Sequence, residues 1–351
     1  MIRGRAGDGV DKMRVIQVGI GGMGNAWLSA VQRSPRVDFA GFVEISPDIA
    51  RAQAQAFQLD EALIFDSLPR ALEQVDADAV INVTPPQFHR EVTVMALQAG
   101  LPVLQEKPLA GTLADARAIV AAADDSGVDC SVAQNYRYRP LTQTIKRVLD
   151  SGELGAVAAV AVEFYRGPHF GGFREEMAHP LIVDMSIHHF DLMRYFLEAD
   201  ARAIQAHSWN PPWSWFAGDA SASAEIEFSN GAQVSYTGSW CSQALETSWN
   251  ANWRFECERG VLLARDDRVT IQRLLRAGDG ADARANEHAE PEEVPLVEME
   301  REGQDYLLQE FYEAVTRDGA TATTAQDNIR TMELVFGVVR ACDSGQPVSL
   351  D

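Results

Sequence analysis

A carboxylate and an imidazole stand four residues apart in this chain. Asp184 and His188 both lie in the run Leu181–Asp191. If this run is α-helical, the two side chains share one face, because residues i and i+4 are neighbours on a helix surface. A carboxylate beside an imidazole orients the ring and suits it to proton transfer. A capping aspartate followed by a core histidine would have the same spacing, so both interpretations stay open.

A single lysine follows a predicted strand. Val103–Gln105 is typical of a buried strand and leads directly into Glu106-Lys107-Pro108. In an open α/β sheet, ligands bind beyond the carboxyl ends of the strands. We therefore expect Lys107 to lie near a bound ligand, whereas most lysines are solvated surface residues.

A glycine-rich turn follows the first apolar run of the chain. Val15–Val18 leads into Gly19-Ile20-Gly21-Gly22-Met23-Gly24, and the next apolar stretch ends at Glu44. This spacing is typical of a turn that binds the pyrophosphate of a dinucleotide at a helix N-terminus. An acid at the position of Glu44 accepts hydrogen bonds from the adenosine ribose hydroxyls and repels a 2′-phosphate. The pattern predicts a preference for NAD over NADP.

The elements that would position these residues fall into two groups. From Met13 to about Gln134, apolar runs alternate with helical segments, which predicts a Rossmann-type, doubly wound parallel sheet. Residues 1–12 are predicted to be an N-terminal extension, 13–135 the dinucleotide-binding domain and 136–351 a second domain.

The second domain is rich in strands. The predicted strands are Ala156–Tyr165, Ala203–Trp209, Ala220–Phe228, Ala232–Trp240, Trp253–Glu258, Val261–Ala264 and Val269–Leu274. They predict an α+β domain with a large, open, mostly antiparallel sheet, whose uncovered apolar face would favour a homodimer or homotetramer. Asn230-Gly231 fits a tight hairpin with two left-handed residues. Gly278–Glu293 is predicted to be a surface loop, and Gln304–Thr316 and Asp327–Cys342 closing helices.

Composition excludes several classes of function. Acidic residues outnumber basic ones by 51 to 30, and the formal net charge is −21. This field repels phosphate backbones and anionic lipids, so neither nucleic acid nor a membrane is an expected partner. No apolar run approaches the roughly 18 residues that span a bilayer, and Met1–Lys12 lacks the apolar core of a signal peptide, which predicts a cytoplasmic protein. The four cysteines show no C-x-x-C spacing, which argues against a zinc site and against disulfides.

Taken together, the motifs resemble the Gfo/Idh/MocA oxidoreductases, the family of glucose–fructose oxidoreductase and inositol dehydrogenase. The matching segments, in order, are Gly19–Gly24 with Glu44, Thr84-Pro85-Pro86-Gln87-Phe88-His89, Glu106-Lys107-Pro108 and Asp184-x-x-x-His188. The resemblance implies NAD(P)-linked redox chemistry at a carbon of a sugar or cyclitol. It puts Lys107 at the position of the active-site lysine, and Asp184 and His188 at those of the catalytic pair.

The resemblance also implies a wider set of site residues. The predicted cofactor-binding residues are Gly19, Gly21, Gly22, Met23, Gly24, Glu44, Thr84, Pro85, His89, Glu106 and Lys107. The predicted substrate-binding residues are Lys107, Arg137, Tyr138, His179, His188 and His189. Two departures from the family pattern are Ala178-His179-Pro180 with Ser186, where glycines are common, and Gln105, where a small or apolar residue is usual.

Three other functions remain open. His179, Asp184, His188 and His189 have the chemistry of metal ligands and would suit a metal hydrolase, although no metal site is predicted. The same fold could serve a non-enzymatic NAD-sensing regulator, or an NAD-dependent glycosidase that oxidises its sugar transiently. Six of the seven tryptophans lie between Trp209 and Trp253, where they could stack on sugars or pack a sheet.

Overall fold

The computed structural model describes residues 12–278, 286–317 and 319–350, which form two compact units. The first unit runs to Asn135 and includes Arg301–Met332. The second comprises Tyr136–Glu300 and the residues from Glu333 onward. The predicted extension, residues 1–12, lies outside the described residues except for Lys12.

The first unit contains a parallel sheet of six strands. They are β1 (Met13–Val18), β2 (Val37–Val43), β3 (Ile64–Phe65), β4 (Ala79–Asn82), β5 (Val103–Gln105) and β6 (Cys130–Val132). The strand order β3-β2-β1-β4-β5-β6 is that of a doubly wound dinucleotide-binding fold, and the predicted fold class is confirmed. The glycine turn, Glu44, Thr84 and Lys107 all follow the carboxyl ends of strands in this sheet.

Helices connect the parallel strands. They are α1 (Gly24–Arg33), α2 (Pro47–Phe57), α3 (Leu68–Gln74), α4 (His89–Gln98) and α5 (Leu113–Ser126). Helix α1 buries Trp27, Leu28 and Val31 along one side, as an amphipathic helix on a sheet must. The sequence pattern assigned no residue range to the strand β3 or to the helix α3.

Arg301–Met332 joins the first unit, although the sequence pattern groups these residues with the second domain. The backbone N–H of Val132 donates to the carbonyl oxygen of Thr323 at 2.7 Å. The hydroxyl of Thr323 donates in turn to the carbonyl of Val132, also at 2.7 Å. These bonds satisfy backbone groups at the edge of β6. A sequence pattern cannot show that a distant segment supplies the partners. Helix α8 (Gly303–Arg317) belongs to the same unit and pairs its Asp305 with Arg33 of α1 at 2.7 Å.

The second unit is built on a large mixed sheet. Its strands are β7 (Val157–Tyr165), β8 (Ala201–Trp209), β9 (Ser221–Phe228), β10 (Gln233–Ser239), β11 (Asn252–Cys257), β12 (Gly260–Arg265), β13 (Arg268–Arg276), β14 (Glu287–His288), β15 (Glu292–Val294) and β16 (Val348–Ser349). The order is β14-β13-β12-β11-β7-β10-β9-β8-β16, with β15 beside β13. Of these pairs only β7 with β10 is parallel, so the sheet is mostly antiparallel, as predicted. Helices α6 (Pro140–Asp150) and α7 (Ile187–Leu197) lie in this unit, and α9 spans Ala325–Ser344.

Two local predictions for this unit are wrong. The expected loop Gly278–Glu293 contains β14 and the start of β15, while residues 279–285 lie outside the described part of the chain. The hairpin between β9 and β10 has three turn residues rather than two. Gly231 is left-handed, with φ of 88°, whereas Asn230 is not. A type I turn followed by one left-handed glycine is the usual three-residue hairpin.

One face of the large sheet is exposed and polar. A row of residues paired across neighbouring strands is exposed throughout: Leu263, Arg254, Ala161, Ser235, Glu225 and Gln205. The other face carries core residues such as Val162, Phe164 and Ile226. The expectation of an apolar uncovered face is therefore wrong. In the part of the chain that is described, no helix is both long and apolar enough to cross a membrane.

Candidate functional site

The glycine turn is held by contacts that only glycine permits at two positions. Gly19 has φ of 87°, and a Cβ there would lie 2.7 Å from the carbonyl oxygen of Val83. A Cβ at Gly24 would lie 2.7 Å from the carbonyl oxygen of Gly19. Around Gly22 a Cβ would meet nothing within 4 Å, so the outer side of the turn is open. At Gly19 the turn therefore packs tightly against Val83, which follows β4. At Gly22 it leaves space for a ligand.

A buried glutamine, which the sequence pattern did not single out, holds the backbone of the glycine turn. The side-chain amide of Gln17 in β1 donates to the carbonyls of Gly19 at 3.1 Å and Gly24 at 3.0 Å. The sequence does contain a signal for this role, because Gln17 is a polar residue inside the apolar run Val15–Val18. A buried side-chain amide needs hydrogen-bond partners.

The start of α1 fits an anion. Its N-cap residue, Met23, makes no side-chain hydrogen bond to the first turn, and that turn has no acidic residue. Helices α2 and α5, in contrast, are capped by the hydroxyls of Ser46 and Thr112. The N-terminal N–H groups of a helix attract phosphate when no side chain caps them. The residues present therefore fit the pyrophosphate of a dinucleotide.

Glu44 is bound to the backbone beside this turn. One carboxylate oxygen accepts from the N–H of Ile20 at 3.3 Å, and the other accepts from the N–H of Ser46 at 3.0 Å. The carboxylate is thus fixed between the glycine turn and the start of α2. The following residue, Ile45, is 78% exposed and offers no cation for a 2′-phosphate.

Glu106 and Lys107 follow β5 and are tied to α1. The indole N–H of Trp27 donates to one carboxylate oxygen of Glu106 at 2.8 Å, and the backbone N–H of Lys107 donates to the other at 3.0 Å. Trp27 and Glu106 are both buried. The backbone at Lys107 is therefore fixed by a side chain of the helix that follows the glycine turn.

A network of buried polar groups joins the segment Thr84–His89 to the turn after β5. The ring nitrogens of His89 lie 2.8 Å from the carbonyl oxygen of Pro108 and 2.7 Å from that of Thr84. Burial lowers the pKa of His89 against the opposing effect of these carbonyls. Because His89 has no exposed surface, it braces the two segments, and its position beside a cofactor stays a prediction.

Gln105 departs from the family pattern for a structural reason. Its amide donates to the carbonyl of Leu109, and its side-chain oxygen accepts from the hydroxyl of Thr93. The residue is fully buried, so it closes the turn that carries Lys107 and does not line a site.

In the second unit, Asp184 lies on a π-helical turn. Leu181–Ser186 form this turn directly before α7, whereas the sequence argument assumed an α-helix through both Asp184 and His188. In a π-helix the hydrogen bonds connect residues i and i+5, so the turn that carries Asp184 is wider than that of the assumed α-helix. The carboxylate of Asp184 accepts from Nε of Arg174 at 2.6 Å.

His188 lies at the start of α7 against an aromatic ring. The ring of Tyr136 stacks on its imidazole, with centroids 4.1 Å apart and planes 8° from parallel. The guanidinium carbon of Arg139 lies 3.3 Å from the centroid of the same tyrosine ring. The sequence pattern pointed to the neighbours Arg137 and Tyr138 and missed Tyr136.

Arg137 is used inside the fold. Its Nε and Nη2 each donate to a carboxylate oxygen of Asp191 at 2.7 Å. Both side chains are buried, and so is that of Tyr138. A bidentate ion pair of this kind engages Nε and Nη2 of the guanidinium, and the substrate contacts of Arg137 and Tyr138 stay a prediction.

The other two predicted histidines also have partners within the fold. His189 is fully buried among the rings of Phe164, Tyr236 and Trp253, and burial lowers its pKa to about 3. Nε2 of His179 lies 2.9 Å from the carboxylate of Asp343. Within the described residues, no three His, Cys, Asp or Glu side chains are arranged to hold a metal ion.

Two family models match the chain. Residues 13–134 match the oxidoreductase family with an NAD-binding Rossmann fold, and residues 142–263 match the GFO/IDH/MocA C-terminal domain. This chain belongs to the Gfo/Idh/MocA family. The match confirms the resemblance on which the fold and the enzyme class were predicted.

Known proteins of the same kind cover most of the chain. It is 28% identical to scyllo-inositol 2-dehydrogenase (NAD(+)) of Bacillus subtilis over 80% of each protein. It is 23% identical to 1,5-anhydro-D-fructose reductase of Ensifer adhaerens over 95% of this chain and 97% of that protein. A solved oxidoreductase from Agrobacterium radiobacter, in complex with NAD+, L-tartaric acid and magnesium, has a TM-score of 0.84 at 19% identity, covering 96% of this chain and 98% of that one. The structural likeness shows the fold.

This Gfo/Idh/MocA protein uses Ser186, its departure from the family's glycine, in the core. The hydroxyl oxygen of Ser186 lies 2.7 Å from that of Tyr236, and both residues are buried. The tryptophans between Trp209 and Trp253 differ in burial. Trp240 and Trp253 are buried in the second unit, whereas Trp209 and Trp213 are exposed.

Proposed function

We propose that this protein is an NAD-dependent dehydrogenase that oxidises a secondary alcohol of a sugar, sugar derivative or cyclitol. The uncapped start of α1 beside the anchored carboxylate of Glu44 carries the proposal, because this pairing suits a pyrophosphate followed by an unphosphorylated ribose. The dehydrogenases and reductases among its relatives support the substrate class.

The proposed catalytic residues are Lys107, Asp184 and His188. NAD, when bound, supplies a hydride acceptor. Lys107 would hydrogen-bond the alcohol oxygen and stabilise the negative charge that develops there. His188 would accept the hydroxyl proton, with Asp184 as the nearby carboxylate that favours this transfer. Positioned acid–base groups contribute roughly 10² to 10⁴ in rate.

Substitution of Lys107 tests this proposal. Lys107→Met removes a charge-assisted donor that is strongest in the transition state, so we expect turnover to fall at least a hundredfold, about 2.7 kcal/mol, while NAD binding changes little. The measurement is steady-state NADH formation on the best polyol found in a screen, together with NAD binding by calorimetry.

Lys12→Met is the matched control. Lys12 precedes β1 and pairs with an exposed carboxylate, that of Asp38, at 3.5 Å. Its turnover should equal that of the wild type. Near-normal turnover in Lys107→Met would contradict the catalytic assignment, and a wild type that binds NAD but oxidises no polyol would favour the NAD-sensing alternative.

A further inference from the structure

Three side chains form a column at His188, and two of them have no assigned role. The imidazole of His188 and the guanidinium of Arg139 both stack on the ring of Tyr136, at 4.1 Å and 3.3 Å. Two groups this close to one ring must occupy its opposite faces. The order of the column is therefore Arg139, Tyr136, His188.

The outer end of the column is fixed by a neutral group. Nη1 of Arg139 donates to the side-chain oxygen of Asn250 at 2.7 Å, and the amide nitrogen of Asn250 donates to Asp267 at 2.8 Å. Tyr136 and His188 are buried. The guanidinium is thus held against the ring by an amide, and that contact does not cancel its charge.

We propose that Tyr136 and Arg139 are positioning residues that orient the His188 ring and keep it in the neutral form that accepts a proton. The proposal rests on the role of His188 in the proposed function. A ring whose π-electrons already face a guanidinium stabilises a second cation on its other face less well. The positive charge of Arg139 also disfavours an imidazolium nearby.

The positive charge of Arg139 also acts on His189, the residue that follows His188. Burial is the main cause of the low pKa of His189, and the charge of Arg139 lowers that pKa further. Other charged or titratable groups lie on the elements that carry His188 and Tyr136. They include Asp184 with its partner Arg174, Arg137 with its partner Asp191, and His189. The first two sets are ion pairs, whereas the guanidinium of Arg139 is held by a neutral amide, so we assign the electrostatic effect on His188 to Arg139.

A titration of His188 in the full-length protein tests the electrostatic part. The ring signal, identified by its loss in His188→Gln, is followed by NMR over pH. Removing the cation in Arg139→Gln should raise the midpoint by about one pH unit. The control Arg276→Gln makes the same charge change at an exposed residue of β13 and should leave the midpoint unchanged. Equal midpoints in wild type and Arg139→Gln, or equal shifts in both variants, would overturn the proposal.

Kinetics test the stacking part. Tyr136→Phe keeps the ring and should retain near wild-type kcat, whereas Tyr136→Leu should lower kcat about tenfold with little change in KM for NAD. In Arg139→Gln the acid limb of the kcat profile should move to higher pH. Equal losses in the Phe and Leu variants would overturn the role of the stack. Because the titration needs no turnover, absence of polyol oxidation would refute the proposed function while the His188 midpoints still decide this inference.

Discussion

Buried polar side chains near the glycine turn form hydrogen bonds to backbone groups instead of facing a ligand. Gln17 holds two carbonyls of the glycine turn, Gln105 holds that of Leu109, and His89 lies between two further carbonyls. A buried polar group must find a partner, and backbone carbonyls at the end of a parallel strand are the nearest acceptors. These side chains thus hold the surroundings of Glu44 and Lys107, the two residues proposed to contact ligands.

Replacing Glu44 tests the predicted cofactor preference. Its carboxylate is fixed by the N–H groups of Ile20 and Ser46, so a 2′-phosphate would meet an immobile negative charge. Glu44→Ser should narrow the NAD over NADP preference at least tenfold, measured as the ratio of kcat/KM values under matched conditions.

Glu61→Ser is the control for that substitution, since Glu61 is an exposed acid of the same unit, in the short helical turn before β3. Its cofactor ratio should equal that of the wild type. Equal or better efficiency of wild-type protein with NADP would contradict the preference.

Motifs identify side chains by type and spacing, and this limits what they predict about individual residues. Gly19, Glu44 and Lys107 stand out in the sequence because each follows an apolar run that predicts a strand. The stack of Tyr136 on His188 joins residues more than fifty positions apart, and no local pattern records such a contact. Arg137 attracts attention as a cation, yet only the fold reveals Asp191 as its partner.

Helix ends with strong local signals are those that a sequence predicts best. Helix α5 spans Leu113–Ser126, and its ends are of this kind, because the Thr112 hydroxyl caps its start and Gly127 is left-handed at its end. The strands β3 and β14 have two residues each, too few to show alternation. The π-helical turn at Leu181–Ser186 was missed because one added residue in a helical turn leaves no distinct pattern in the side chains.

The link between α1 and the end of β5 gives a stability prediction. Trp27→Phe keeps the hydrophobic ring and removes the indole N–H, so the buried carboxylate of Glu106 loses a donor. The free energy of unfolding should fall by about 1–3 kcal/mol. Chemical denaturation measures it.

The control for that change is Trp209→Phe. Trp209 is 38% exposed at the end of β8, and the same replacement there should cost less than about 0.5 kcal/mol. Equal costs at the two positions would show that the Trp27–Glu106 hydrogen bond does not stabilise the fold.

The polar sheet face and the negative net charge remove apolar burial as the main reason to expect self-association. The sequence suggested that an apolar sheet face would drive assembly, but the exposed row across the sheet includes Arg254, Ser235, Glu225 and Gln205. With a formal net charge of −21, two copies repel each other at long range. If two copies assemble through this face, shape complementarity and hydrogen bonds between their side chains must stabilise the interface. Burial of apolar surface would contribute less.

We still expect a homodimer or homotetramer, because the exposed face of a large sheet offers an extended surface that a second copy can complement. Light scattering at micromolar concentration should show it. Ser235 is paired with Glu225 across the strands and bonds to its carboxylate at 2.6 Å. Ser235→Glu places a second carboxylate there and should weaken the assembly at least tenfold, whereas Ser151→Glu, at an exposed position after α6, should not. A monomeric wild type would contradict the predicted assembly, and an assembly unaffected by Ser235→Glu would place its interface on another surface.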